Sequence, residues 1–541
     1  MTEPRPLPWL ALILLAGLVL RVQGLDWDRG LGLHPDEGNL VRASLDLSWS
    51  APVPAFHAYN DLSLWLPKFL AAPVCDDGDA RCLRLAARLL STLFSAAAVG
   101  VMALVARALA GPAAGLATAA LAATSWPLVQ WAHFGTTESA LVLLMPALWL
   151  VALRWLQGGI GDRGMALCSG ALLGLGFGMK TTALGLAAIP LTALALRGRP
   201  DVQRLRAVAL GAALSMLLAL ASTPSLIFAT ADWLAVMRFE NGVVHGTADV
   251  FWTRQFHAAR NVWFEMRQLW SATHGAGLLL ALAGLASLPR ATRRAALPGL
   301  AFALIYAALS FGWHAKFFRY LAPLLPVVLV LAGIGAARLI GSTLQSLRVA
   351  GMTGLGLCLI AGIDFASGYR FADPRLLAET AIARLTGPAD PIAIEPHDLG
   401  LTAGRPVTVL TLDDPGATPE TLAQVLSGSK AMLIASRRNW AVLPGHPATA
   451  ALTCGFYAAL ARGDLGFRLH RTFARQTLFG PLFAPGPGTE ETATVFDRPT
   501  VLLLLNEAQL PAAEIAARIA APADPATCTP VALQAEWDRP R

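Results

Sequence analysis

Two adjacent carboxylates stand in the stretch His34-Pro35-Asp36-Glu37-Gly38-Asn39, a short step beyond the first hydrophobic run. Neighbouring acids repel unless a cation, a proton or water shares their charge, so keeping them at an apolar boundary is costly. Asp36 could take a proton from a reacting group with Glu37 as its helper, or the acids could ligate a divalent cation. The plain alternative is a surface turn shaped by Pro35 and Gly38. Three more polar clusters follow. His133-Phe134-Gly135-Thr136-Thr137-Glu138 is a turn between two apolar runs that could bring His133 and Glu138 to the same vestibule as Asp36 and His34. Gly178-Met179-Lys180-Thr181-Thr182 holds one of only four lysines in the chain. Lys180 and Thr181 suit a phosphate, as a point charge with a hydroxyl beside it, although a lysine at the end of a span also snorkels to headgroups. Finally, His314-Ala315-Lys316-Phe317-Phe318-Arg319-Tyr320 gathers Lys316, Arg319 and Tyr320 at an interface, either as an anionic headgroup site or as anchors.

The elements that position these residues are membrane helices. The chain has 541 residues, 55% hydrophobic and 14% charged, with a mean hydropathy of +0.54, whereas soluble domains carry about a quarter charged residues. About eleven apolar runs between residues 7 and 365 approach the length that crosses a bilayer. The expected fold class is therefore a polytopic α-helical membrane protein. The net charge of +7 does not point to nucleic acid, because the arginines fall in short gaps between runs: Arg154 and Arg163, Arg197 to Arg206, Arg290 to Arg294, Arg338 and Arg348. By the positive-inside rule those gaps are cytoplasmic. The amino terminus is then inside, and the loops carrying Asp36, His133 and Lys316 are outside. No small-residue cleavage site follows the first run, which reads as a retained helix of the inner (plasma) membrane of a bacterium.

The expected multi-span domain covers residues 1–365, and its first outer loop, about 23–83, carries the Asp-Glu pair on segments with helix-like apolar spacing. Beyond 366 the composition changes. Pro391 to Glu395, Pro406 to Leu412, Ala431 to Ser436 and Thr500 to Leu505 read as strands, while Thr418-Pro419-Glu420 opens a helix and another spans about 447–462. This predicts an extracytoplasmic α/β domain over 366–522 and a weakly structured tail over 523–541. Cys75 with Cys82, and Cys454 with Cys528, could each form a disulfide in an oxidising compartment.

In this order, these features resemble the GT-C class of lipid-carrier-dependent glycosyltransferases, protein O-mannosyltransferase-like and aminoarabinose transferase-like. The resemblance rests on Asp36-Glu37, on the turn ending at Glu138, on Gly178, Lys180 and Thr181, and on Arg319-Tyr320 before a two-proline span. Asp373-Pro374-Arg375, Gly463 to Phe467 and Val495 to Pro499 extend it beyond the spans. It implies a GT-C fold and inverting transfer of one sugar from a polyprenyl-phosphate donor, in the lipid bilayer, to an acceptor glycan, lipid or protein on the outer side. Asp36 would be the base or orient the acceptor. Lys180 and Arg319, with Lys316 and Tyr320, would hold the lipid phosphate, and His34, His133, Glu138 and Thr181 would line the pocket. The chain has Glu138 where relatives typically have Asp, which weakens a divalent metal site built from Asp36 and Glu138. Two other classes fit part of the pattern: a transporter or flippase for a lipid-linked sugar, and a non-catalytic subunit of an envelope complex. Against the first, no convincing internal repeat is present and the polar residues gather on the outer side instead of at midplane; the second leaves the coincidence of the Asp-Glu, Lys and Arg-Tyr motifs unexplained.

Overall fold

The computed structural model describes residues 7–257, 259, 262–483, 485, 486 and 488–539. Met1 to Pro6, Ala484 and Pro487 within the Pro/Gly loop, and the last two residues of the tail lie outside them. The apolar runs fold as helices, beginning with Leu7–Val22, Ala80–Ala110 and Pro112–Thr124 and ending with Leu325–Ile340 and Gln345–Ser367. Among the described residues four single helices are long and apolar enough to cross a membrane, and a fifth if Val262–Ala272 and Ala276–Ala286, bent by 99°, form one span. Trp126, Trp149 and Trp155 lie fully buried in their shared core. This is a polytopic helical protein.

The ends of the bundle differ. At one end Arg197 donates to the Trp155 carbonyl at 2.6 Å, Arg204 pairs with Asp162 at 3.3 Å, and Thr292 donates to the Leu109 carbonyl at 2.8 Å. The arginine-rich gaps therefore share an end. At the other end the first loop folds into two short helices, Pro35–Asp46 and Leu62–Ala71, and meets the carboxy-terminal region.

That region is built on a five-stranded sheet of order β2-β1-β3-β5-β4, with β1 Ile392–Ile394, β2 Val407–Val409, β3 Ala431–Ile434, β4 Phe467–Phe473 and β5 Val501–Asn506. β1 runs parallel to β2 and β3, and β5 antiparallel to β3 and β4. Successive side chains point to opposite faces. Met432, Ile434, Leu502 and Leu504 pack under Leu422, Phe456 and Ile515, while Ala431, Leu433, Val501 and Leu503 pack against Ala378 and Ile382. The expected strands and the helix capped by Thr418 are present.

The tail departs from expectation. Its described part, residues 523–539, is not loose: Pro530–Trp537 is a helix capped by Thr529, with Leu533 and Trp537 buried and Trp537 set edge-on to Trp440 at 4.8 Å. Cys528 is bonded to Cys454, which ties the segment to helix Ala450–Arg462, and Cys75 is bonded to Cys82. The apolar residues of Pro530–Trp537 are spread around the helix instead of along one face, so no periodic signal announced it.

Candidate active site

The Asp-Glu pair begins a helix, and that start separates the two acids. His34 is the cap: its Nδ1 accepts the Glu37 N–H at 3.3 Å, and Pro35 occupies the first turn. Burial pushes the His34 imidazole below its ordinary value, which leaves Nδ1 the neutral acceptor that the cap requires. Its ring sits between Phe134 and Phe496, with centroids at 4.5 and 4.1 Å. Asp36 points into a cleft. There it pairs with Arg319 and accepts the Tyr59 hydroxyl at 3.3 Å, and the Asp36 and Arg319 side chains remain 27% and 28% exposed. Burial alone would raise the Asp36 carboxyl, but the charges of Arg319, His34 and Lys180 and the Arg319 hydrogen bond hold it well below the usual carboxylate range.

Glu37 has the opposite fate and is no helper at the cleft. It is fully buried, accepting from Arg88 Nε at 2.8 Å and Nη2 at 2.6 Å and from the Gly135 N–H at 2.8 Å. Arg88 also reaches both oxygens of Asp28 at 3.0 Å, and Asp28 accepts the N–H groups of Gly32 and Leu33. This network ties the first loop to helix Ala80–Ala110 and to the 133–137 turn. Gly135 permits it, since a Cβ there would lie 2.8 Å from the Ala87 Cβ and 3.0 Å from Glu37 Oε1.

Lys180 ends helix Asp162–Met179 in an extended conformation, φ −159°, which turns its side chain toward Glu138 at 3.3 Å. Glu138 opens helix Glu138–Leu156 at the end of the expected turn. The Lys180 Nζ also lies 5.0 Å from the centre of the Tyr59 ring. Thr181 donates to Met237 Sδ at 3.4 Å, on helix Thr230–His245, which contributes Glu240. Burial raises the Glu240 carboxyl, against the charges of Arg319 and Lys180 facing it. Tyr320 follows Arg319 in the turn Phe318–Leu321, its phenol raised to about 12 by burial. A cleft of about 330 Å³ lies between these elements, lined among others by His34, Gln130, Glu138, Arg319, Thr492 and Phe496. Asp36, Glu138, Lys180, Arg319, Thr181, Tyr320 and His34 are therefore one neighbourhood, drawn from parts of the chain as far apart as residues 34 and 320.

Residues 83–228 match the family model described as dolichyl-phosphate-mannose-protein mannosyltransferase, a stretch that includes Glu138, Lys180 and Thr181. The whole chain is similar in fold to ArnT from Cupriavidus metallidurans, solved bound to undecaprenyl phosphate: TM-score 0.51 and 16% identity over 93% of this chain and 99% of that one. The chain has a weaker similarity to the Archaeoglobus fulgidus oligosaccharyltransferase, with TM-score 0.42 and 12% identity over 91% of this chain and 78% of that one. It is also similar to the S. cerevisiae Pmt1-Pmt2 complex, with TM-score 0.31 and 14% identity over 44% and 34%. A comparison with curated proteins gives no match.

Two of the expected site residues are placed elsewhere. Lys316 is buried and donates to the Phe311 carbonyl at 2.7 Å, and the charge it faces is that of Glu265. His133 is a strut: its ring nitrogens engage the Val129 and Gln23 carbonyls at 2.8 and 2.9 Å, and it stacks on Tyr369 at 3.6 Å. Tyr369 in turn donates to Asp497 at 2.6 Å, and Gln130 donates to the other Asp497 oxygen at 2.8 Å. Asp373 accepts from Arg375 and Arg475, each at 2.8 Å. Asp497 of the Val495 to Pro499 motif thus joins the sheet region to the helical bundle, while Asp373-Pro374-Arg375 ties that motif, at the Phe496 carbonyl, to Arg475.

Tyr59 was not signalled by the sequence, because a lone tyrosine in an aromatic loop has no informative spacing. The acids offered for a divalent cation are each held by a base, Asp36 by Arg319 and Glu138 by Lys180. Among the described residues no group of three or more His, Cys, Asp or Glu side chains could hold a metal ion. As placed, each paired with a base, the two acids do not form such a centre.

Proposed function

We propose that the chain is a membrane glycosyltransferase that moves one sugar from a polyprenyl-phosphate donor to an acceptor hydroxyl or amine on a glycan, lipid or protein, with inversion at the anomeric carbon. The observation that carries this reading is the cleft itself. Two cations, Arg319 and Lys180, meet there, each held by a carboxylate, and the buried Arg319 Nε has no hydrogen-bond acceptor among the described residues. A phosphate supplies acceptors for such donors, with charge-assisted bonds of the same kind as those the carboxylates now make.

The exchange also changes Asp36. While Arg319 is paired with it, the carboxylate is ionised but a poor proton acceptor. Once Arg319 turns to phosphate, the proton affinity of Asp36 rises toward that of an ordinary carboxylate. The acceptor oxygen or nitrogen then attacks the anomeric carbon from the face opposite the phosphate, and its proton passes to an Asp36 oxygen. The bond from anomeric carbon to phosphate oxygen breaks, and its electron pair stays on the polyprenyl phosphate, where Arg319 and Lys180 neutralise it. Tyr59 donates to Asp36 and, with its phenol pushed well above its ordinary value by burial and the Asp36 charge, stays protonated to do so. The arginine gaps at the far end of the bundle support an outward-facing cleft in a bacterial inner membrane, with the sheet region outside.

Lys180→Met tests the phosphate assignment. It removes one charge-assisted contact and weakens binding of undecaprenyl phosphate about 10–100-fold, as read by titration in micelles. Equal affinity in wild type and variant takes Lys180 out of the site.

A further inference from the structure

The turn that presents Arg319 is held from the sheet region. Glu490, buried, accepts the Phe318 N–H at 2.9 Å through Oε2. The same carboxylate accepts the Thr492 hydroxyl and, through Oε1, the Thr492 N–H at 3.2 Å. Its backbone is fixed as well, because Glu490 donates its N–H to Gln268 at 2.8 Å and Arg437 donates to its carbonyl at 3.2 Å. On the other side the Phe318 ring lies stacked on Trp126 at 4.7 Å and 15°. Phe318 is thus clamped by its ring and by its amide, and the next side chain, Arg319, enters the cleft beside Asp36. Thr492 and Phe496, from the same segment, line that cleft.

Resting on the phosphate reading above, we infer that Glu490 is a positioning residue, a carboxylate on the sheet region that sets Arg319 for the donor phosphate by holding the Phe318 amide. A bond from an amide to an ionised carboxylate is stronger than one to a neutral carboxyl. Burial, and then the charge of Glu491, push the Glu490 carboxyl up to about 7. The charged groups facing it are Glu491 on its own segment, Arg437 after β3 and Glu265 on helix Val262–Ala272. The sign follows from its charge. Above pH 7 Glu490 is ionised and the turn is held firmly; below it the carboxyl is protonated and the grip on Phe318 weakens.

Glu490→Gln keeps an acceptor oxygen and the side-chain shape but cannot ionise. Binding of undecaprenyl phosphate in micelles is measured for wild type, Glu490→Gln, Arg319→Ala and the double variant, at pH 8 and pH 6. The lipid phosphate itself gains a proton near pH 6, so the readout is the ratio of variant to wild-type Kd. The expected ratio is roughly tenfold at pH 8, falls toward one at pH 6, and vanishes when Arg319 is already alanine. A ratio that is the same at both pH values, or that persists without Arg319, overturns the inference. Wild-type affinity in Arg319→Ala overturns the phosphate reading itself, and this inference with it. Should Glu490→Gln fail to fold, hydrogen exchange over residues 317–321 of the wild-type protein decides. Protection lost between pH 8 and pH 6, after correction for the intrinsic rate, supports the inference, and unchanged protection overturns it.

Discussion

Asp36→Asn is expected to lower sugar transfer by about 10²–10⁴-fold, the range typical of a lost general base. The cleft explains why the loss falls on chemistry. Asparagine retains an oxygen for the Tyr59 hydroxyl and nearly the same volume, so the helix beginning at Pro35 keeps its packing. It cannot accept the acceptor's proton. It also releases Arg319 from a full carboxylate charge, so affinity for undecaprenyl phosphate is expected to stay the same or rise. Turnover is read with a defined donor, and affinity by titration of the same preparation. Unimpaired turnover removes Asp36 from catalysis. Loss of turnover together with loss of phosphate affinity makes it a structural residue.

Arg88→Met is expected to cost about 3–5 kcal/mol of stability, the usual penalty for leaving buried charges without their partner. Arg88 joins Glu37 and Asp28, and all three side chains are fully buried. Methionine fills much of the space but takes from both acids the guanidinium that hydrogen-bonds them, leaving only the more distant Arg84, 3.7 Å from Glu37, in a setting where ionised carboxylates are very unfavourable. The first loop, the helix Ala80–Ala110 and the 133–137 turn then lose their common joint. Thermal unfolding in detergent reads the loss, and Arg468→Met serves as a control because Arg468 and its partner Glu507 are both exposed. A variant as stable as wild type would show that the Glu37 network does not hold the loop.

The contrast between the two acids shows how far the residues could be read in advance. The sequence marks Asp36-Glu37 as chemically costly, but not which acid faces substrate. Successive residues on a helix diverge by roughly 100°, and here that angle sends Asp36 into the cleft and Glu37 into the core. The same limit applies to Lys316 and Arg319. Three residues apart in an irregular turn, they diverge: Arg319 reaches Asp36, and Lys316 folds back to the Phe311 carbonyl. His133 misled because an imidazole with two ring nitrogens serves equally as a ligand or as a buried brace between carbonyls. Lys180 and Glu138 were readable because each interrupts a long apolar stretch, where a charge needs a partner.

The helices and most of the sheet followed from apolar runs and capping residues. β4 did not, because Arg468, His470 and Arg471 break its pattern at an edge of the sheet, where such charges guard against further pairing. The contribution of Glu490 and Phe496 to the cleft was out of reach, because nothing local links residue 490 to residue 318. That link exists only once the sheet region is docked on the bundle.

The most direct test of the account is incubation of purified protein with a panel of polyprenyl-phosphate sugars and candidate acceptors, with the released carrier and product read by mass spectrometry. Free polyprenyl phosphate and acceptor gaining one sugar are expected in equal amounts, with inverted anomeric configuration, and both products are expected to fall about 10²–10⁴-fold in Asp36→Asn. Donor that crosses proteoliposome membranes with its sugar still attached, and no sugar transfer to any acceptor, would contradict it.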